Sequence, residues 1–276
     1  MEPPSEPWAP VERPGERDEW RGRLTGDDRS IAQMRAMWRR VPRGPRCKVC
    51  GAPFEGIGGL ATRVVQHGRS SANPTMCGMC FGSLAKHPGG AEIEVSIVFA
   101  DIRGSTGIAE SIGPAAFRAA LQTFYGLAAA AIEDEGGSVD KYLGDGVMAL
   151  FIPVMTGAQH AERAIEAAVR LVGAVEASVL PGSGIRVGAG VHSGIAFVGV
   201  IGSGDRLDFS ALGDPVNVAA RLGSMAGPGE VLVSGETWSR ASREQRPGAV
   251  RTVEIAGRHE PLEIVAVTAA AEPLGS

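Results

Sequence analysis

The sequence predicts a mixed α/β domain of β-α-β-β-α-β order with a small cysteine-bearing module ahead of it. Three observations carry this. From Glu92 onward the apolar residues alternate between a period near two and a period near 3.6. All four cysteines of the chain lie before that point, as two C-x2-C pairs. A length of 276 residues with 44% hydrophobic content suffices to bury one core of ordinary size and a smaller satellite.

Residues 1–28 are rich in Pro, Glu, Arg and Asp with little to bury, so they are expected to form a disordered tail. The N-terminus opens on Met1-Glu2-Pro3-Pro4, and no run approaches 18 consecutive apolar residues. The chain therefore reads as neither secreted nor membrane-spanning, and as cytoplasmic. Over 29–44, Ile31, Met34, Met37, Trp38 and Val41 recur at helical spacing beside Arg35, Arg39 and Arg40. That spacing predicts a short amphipathic basic helix ending before Pro42.

The net charge of −4 is unevenly spread, since residues 30–86 carry nine Arg or Lys against one acid, Glu55. Such a basic stretch suits contact with a protein, a membrane surface or nucleic acid, and charge alone does not choose among them. Within it, Cys47-Lys-Val-Cys50 and Cys77-Gly-Met-Cys80 have the spacing of two metal knuckles, so 45–88 reads as a four-cysteine module holding one structural Zn²⁺. An iron–sulfur cluster uses the same ligands and stays open. Disulfides are disfavoured in a chain without a secretion signal.

In the larger domain, EVSIVF at 94–99 reads as a strand. Phe117, Leu121, Phe124, Ala128 and Ile132 mark one face of a long helix begun near Pro114 and stopped at Gly136-Gly137. Segments 138–142 and 147–152 read as two strands of a hairpin, with an Asp-Gly turn signal at Asp145-Gly146. Ala161 to Val175 gives a second helix, and 185–191 a further strand. This order belongs to a ferredoxin-like or polymerase-palm sheet with helices on one face.

In that topology the end of the first strand lies beside the hairpin turn. Asp101 closes the strand and Asp145 sits in the turn, so two carboxylates meet where a hard divalent cation is held by oxygen ligands. Gly104, Ser105 and Thr106 follow just before a helix, whose backbone N–H groups suit phosphate oxygens.

These residues resemble the catalytic domain of class III adenylyl and guanylyl cyclases. The resemblance covers about residues 93–268. It rests on FADIRGST, EDEGGSVDKYLGDGVMALF, GVHSG at 190–194, DFSALGDPVNVAARL at 208–222 and IAGRHEPLEIVAV, in that order. It implies a cyclase domain over 92–270 that converts ATP to 3′,5′-cyclic AMP and pyrophosphate, using two Mg²⁺ or Mn²⁺ ions per site. Asp101 and Asp145 match the family's metal-binding aspartates, with the Ile102 carbonyl as a further ligand. Asn217 matches the ribose-orienting asparagine and Arg221 the arginine that stabilises charge on the α-phosphate. Lys141 stands where adenylyl cyclases place Lys and guanylyl cyclases usually Glu, which points to ATP because adenine N1 is an acceptor.

Two positions depart from the pattern. The second base-reading position is Ser210, whose hydroxyl accepts from the adenine amino group but discriminates less sharply than a carboxylate. Ile195 stands where some members carry Arg, leaving Arg186 or Arg103 to supply any such contact. His192 is read as packing at a strand end and Asp214 as the cap of a helix starting near Pro215. The family resemblance further implies a homodimer in which Asp101 and Asp145 of one subunit face Lys141, Ser210, Asn217 and Arg221 of the other, with 199–210 as an arm across the two-fold axis. The competing readings are a guanylate cyclase, or a zinc module that binds nucleic acid or a partner and uses an inactive cyclase domain as dimeriser or nucleotide sensor.

Overall fold

The computed structural model describes residues 16–27, 29–38, 40–41, 45–64, 67–178, 184–203, 206–241, 248–255 and 260–268. Two helices come first, α1 (Glu16–Thr25) and α2 (Arg29–Trp38). The first corrects the expectation of a disordered tail, of which residues 1–15 and 28 lie outside the described residues. Trp20 and Leu24, one turn apart, are 5% and 3% exposed and join an apolar cluster with Ala91, Ile93 and Val95. Glu16, Asp18 and Glu19 in the first turn and Arg23 in the last complement the helix dipole. An otherwise polar segment is therefore held by two apolar side chains at i and i+4.

The basic helix α2 ends at Trp38, short of the expected boundary, and its charge turns inward. Arg35 donates to the carbonyls of Lys48 and Val49, both at 3.1 Å, and to Gly136 at 3.3 Å. Arg46 donates to the carbonyls of Trp38, Val41 and Gly51 at 2.9, 2.8 and 3.2 Å. Part of the basic stretch thus serves to tie α2 to the cysteine module. That module contains α3 (Gly56–Val64), α4 (Gly78–Lys86) and two isolated bridges, Arg46 with Pro53 and Arg69 with Cys77.

The larger domain begins with β1 (Gly90–Ile102), which runs well beyond the expected 94–99. It is followed by α5 (Ser105–Ile112), α6 (Pro114–Asp134), β2 (Ser138–Leu143) and β3 (Gly146–Phe151). Next come α7 (Pro153–Thr156), α8 (His160–Ala177), β4 (Val187–Ser203) and β5 (Arg206–Leu212). The chain closes with α9 (Asp214–Met225), β6 (Glu230–Ser234), α10 (Gly235–Arg240), β7 (Ala249–Val253) and β8 (Leu262–Thr268). The sheet order is β2-β3-β1-β4-β6-β8-β7, with β5 paired to β4. Its first four strands reproduce the expected βαββαβ core.

Both faces of this sheet are covered, whereas the sequence predicts helices on one. The cause lies in β1, which is apolar on both sides. Val98, Ala100 and Ile102 pack with Phe124, Ala128 and Ile132 of α6 and with Leu171 and Val172 of α8. Ala91, Ile93, Val95 and Ile97 face the opposite way, toward Trp20, Phe54, Met76 and Leu84. On that second face α9 lies close over β4. A Cβ on Gly190 would come within 2.1 Å of the Gly223 nitrogen, so only glycine permits this approach. By length and composition α6 alone among the described helices could cross a membrane. Its Phe124, Ala128 and Ile132 stripe is nevertheless buried in the core.

Candidate active site

The carboxylate end of the site is set by backbone register. Asp101 pairs with Gly146 across β1 and β3, and the Ile102 N–H donates to the Asp145 carbonyl at 3.1 Å. The hairpin turn consists of Gly144 and Asp145 between the paired residues Leu143 and Gly146, within the segment expected to turn. Gly144 takes the left-handed conformation this turn needs, with φ of 65°. Tyr125 donates its hydroxyl proton to the Gly144 carbonyl and so steadies the turn. Burial raises the Tyr125 pKa, and the Asp145 charge adds to it.

Asp101 Oδ1 is buried. Arg103 lies against it, its guanidinium held by the carbonyls of Ser224 and Ala226 at 3.0 and 3.2 Å. Burial lowers the Arg103 pKa and the Asp145 charge opposes this. Two carboxylates and a backbone carbonyl brought together by strand register fit a divalent cation with oxygen ligands, which would meet Asp101 in place of the Arg103 guanidinium. Gly104, at φ of 67°, turns the chain into α5, where Ser105 and Thr106 are the first residues. Their N–H groups have no intrahelical acceptor.

The base-reading end is assembled from residues far apart in sequence. Lys141 of β2 donates its ammonium to Ser210 Oγ of β5 at 3.1 Å. Both converge on Asp140, whose Oδ2 accepts from Ser210 at 2.6 Å and lies 3.1 Å from Lys141 Nζ. Sequence reasoning assigns no role to Asp140 or to its partner Lys48. Only the first has a local signal, as the residue beside Lys141.

Asn217 and Arg221 lie one turn apart on α9, Asn217 exposed and Arg221 partly so. Neither side chain has a hydrogen bond among the described residues. Nor does any hydrogen bond or ion pair among them join Asp101 or Asp145 to Lys141, Ser210, Asn217 or Arg221. Ile195 is 69% exposed, and Arg186 pairs with Glu176 at 2.6 Å. Two readings need correction. His192 lies inside β4 opposite Ile97, and not at a strand end; it is buried and its Nδ1 is 2.7 Å from Ser234 Oγ. Asp214 is the first residue of α9, whose cap is Gly213 with no side-chain cap bond. Pro215 fixes the first turn, which sets the boundary one residue ahead of the expected one.

In the module, the sulfurs of Cys47, Cys50, Cys77 and Cys80 all lie within 4.8 Å of one another, and all four are free. Cys50 and Cys77 Sγ are 3.7 Å apart, close to the separation of about 3.8 Å that follows from tetrahedral Zn–S bonds. The Cys77 N–H points to Cys47 Sγ at 3.3 Å and the Cys80 N–H to Cys77 Sγ at 3.4 Å, which suits thiolate sulfur. The cluster is thus able to hold a metal ion. The buried His67 stands beside it, Nδ1 3.3 Å from Cys77 Sγ. Nothing in the spacing singles out His67, a lone histidine between the two cysteine pairs.

The chain belongs to the family of the adenylate and guanylate cyclase catalytic domain, which it matches over residues 90–265. Cyclase domains of this family are metal-dependent. It is similar to the solved guanylyl cyclase Cya2, with 28% identity and a TM-score of 0.61 over 67% of this chain and 96% of that one. The adenylyl cyclase CyaB from P. aeruginosa gives 27% identity and 0.61, over 67% and 98%. Among curated relatives, adenylate cyclase 1 of Rhizobium meliloti (strain 1021) is 32% identical over 181 residues, which are 63% of this chain and 27% of that protein. An adenylate cyclase of Anabaena cylindrica is 35% identical over 137 residues, 46% and 26% of the two chains. The match spans little more than a quarter of either relative.

Proposed function

We propose that the chain is an adenylate cyclase that closes ATP to 3′,5′-cyclic AMP and pyrophosphate. The observation that carries the choice of base is the pairing of Lys141 with Ser210 at 3.1 Å, across 69 residues of sequence. An ammonium offers its proton to adenine N1, and a hydroxyl oxygen accepts from the adenine amino group. Guanine presents an N1–H donor in place of adenine N1, which the ammonium of Lys141 cannot accept. Adenylate and guanylate cyclases are both among the similar proteins, so this pair weighs more than overall likeness.

In the reaction the ribose 3′-hydroxyl gives up its proton to solvent as its oxygen bonds to the α-phosphorus, the bond from that phosphorus to the bridging oxygen breaks, and pyrophosphate leaves. Asp101, Asp145 and the Ile102 carbonyl would hold two Mg²⁺ or Mn²⁺ ions. When bound, these supply activation of the 3′-hydroxyl and neutralisation of the triphosphate. Asn217 orients the ribose and Arg221 stabilises the charge on the α-phosphate. The N–H groups of Ser105 and Thr106, after Gly104, meet phosphate oxygens.

A homodimer with shared sites fits the fact that, among the described residues, no hydrogen bond or ion pair joins Asp101 or Asp145 to Lys141, Ser210, Asn217 or Arg221. Cys47, Cys50, Cys77 and Cys80 hold one structural Zn²⁺ per chain. The protein acts in the cytoplasm, and exposed parts of its basic N-terminal module meet a protein, membrane or nucleic-acid partner. Incubation with ATP or GTP plus Mg²⁺ or Mn²⁺, with chromatography of the products, tests the reading. Cyclic AMP formed in excess supports it, and cyclic GMP in excess or no product overturns it.

A further inference from the structure

We infer that Asp140 is a specificity-positioning residue that makes Ser210 an obligate acceptor, and that the cysteine module holds Asp140 in place through Lys48. The inference rests on the adenylate reading above and adds what enforces it.

A serine hydroxyl can donate or accept, so by itself it meets the adenine amino group and the guanine carbonyl equally well. The ambiguity is removed when the hydroxyl proton is committed elsewhere. Ser210 Oγ donates to Asp140 Oδ2 at 2.6 Å, and an ionised carboxylate only accepts. What remains on Ser210 is lone pairs. One already accepts from the Lys141 ammonium, which shows Ser210 Oγ acting as an acceptor. A guanine O6 placed there finds acceptor against acceptor, with no proton to share.

This device needs Asp140 charged and immobile although its side chain is fully buried. Lys48, between two cysteines of the module, supplies the countercharge. Its Nζ lies 3.4 Å from Asp140 Oδ1 and 2.5 Å from Asp208 Oδ1, and its side chain is 4% exposed. The two oxygens of Asp140 therefore divide the work, Oδ1 facing the module and Oδ2 the base-reading pair. Asn73, also of the module, donates to the Leu207 carbonyl at 2.9 Å and to Asp208 at 3.2 Å, fixing the same strand. Lys48 lies between Cys47 and Cys50 and its N–H donates to the Thr75 carbonyl, so the fold of the cysteine cluster sets its position.

The test uses the full chain and two variants. Asp140→Asn keeps shape and removes the obligate acceptor. Lys48→Met with Asp140→Leu replaces the buried ion pair by an apolar pair, a change cores often tolerate. Relative affinity for ATP and GTP is read by displacement of a fluorescent ATP analogue, and relative turnover by kcat/KM. Melting temperature and zinc content report folding. The ATP-to-GTP ratio is expected to fall by about tenfold in folded variants, because Ser210 is freed to donate to guanine. Adding Ser210→Ala to either variant is expected to leave the ratio unchanged, since Asp140 acts through that hydroxyl. A merely structural role would lower both nucleotides alike. An unchanged ratio in a folded variant, with the wild type preferring ATP, overturns the inference alone. A wild type preferring GTP overturns the adenylate reading and the inference with it. Failure of both variants to fold also overturns the inference, by making Asp140 a residue of the fold.

Discussion

The two ends of the candidate site are built in opposite ways. At the carboxylate end, Asp101 meets the Arg103 guanidinium, and the groups around it are set by strand register. At the base-reading end Lys141, Ser210, Asp140 and Lys48 form one connected network of hydrogen bonds and ion pairs. A partly exposed carboxylate paired with one cation can exchange it for another, whereas a satisfied buried network is rigid and directional. One end is open to a cation. The other is tuned to a pattern of donors and acceptors.

The largest effect should come from breaking the open end. Asp101→Ala and Asp145→Ala are each expected to lower cyclisation by more than about tenfold at saturating Mn²⁺ while the melting temperature changes little. Parallel turnover assays and thermal melts check this. Turnover near the wild-type level would remove the direct ligand role.

A smaller and more selective effect should follow from disturbing the far end through the module. Chelation is expected to release about one zinc per chain and to unfold residues near 45–85, as metal-coupled folding requires. The ATP-to-GTP ratio should then drift toward one, while the Mn²⁺ requirement stays. Metal analysis and circular dichroism give the first result, nucleotide competition the second. Protein purified without added zinc that contains none would remove the structural-zinc reading.

The smallest effect lies at the seam between the module and α6. Burial pushes Glu133 up to about 7, with Arg46 and Arg35 pulling it down and Asp134 adding to the rise. Its folded pKa lies above the ordinary value of 4.5, so folding takes up a proton between those limits. The stability this provides is full below about 4.5 and is lost as pH rises through about 7. Glu133→Gln is expected to raise the melting temperature at pH 8 by about 2 °C and to leave it unchanged at pH 4.5. Zinc-saturated melts across that range check the sign.

The contrast between the two ends also decides what was legible in the sequence. Asp101 and Asp145 sit at a strand end and in a hairpin turn, both local features, and topology alone brings them together. Lys141, Ser210, Asn217 and Arg221 were legible only through resemblance to a family, because 69 residues separate the first two. Lys48 carries no periodic or motif signal, and its partner Asp140 lies 92 residues away. Trp20 and Leu24 escaped notice for a related reason. Two apolar residues in a charged segment define a helix face only when β1 offers its second apolar side. His67 was invisible because proximity to four sulfurs is a property of the folded module.

If the two ends lie in different chains of a dimer, two inactive proteins should repair each other. Asp101→Ala removes an open end and Arg221→Ala removes a residue of the opposing side. In a mixed dimer both defects fall in one site and the other site is whole. With random subunit exchange, half the dimers are mixed and half of their sites are intact, so co-expressed variants carrying different tags are expected to recover about a quarter of wild-type activity. Verified heterodimers as inactive as either parent would contradict the shared site.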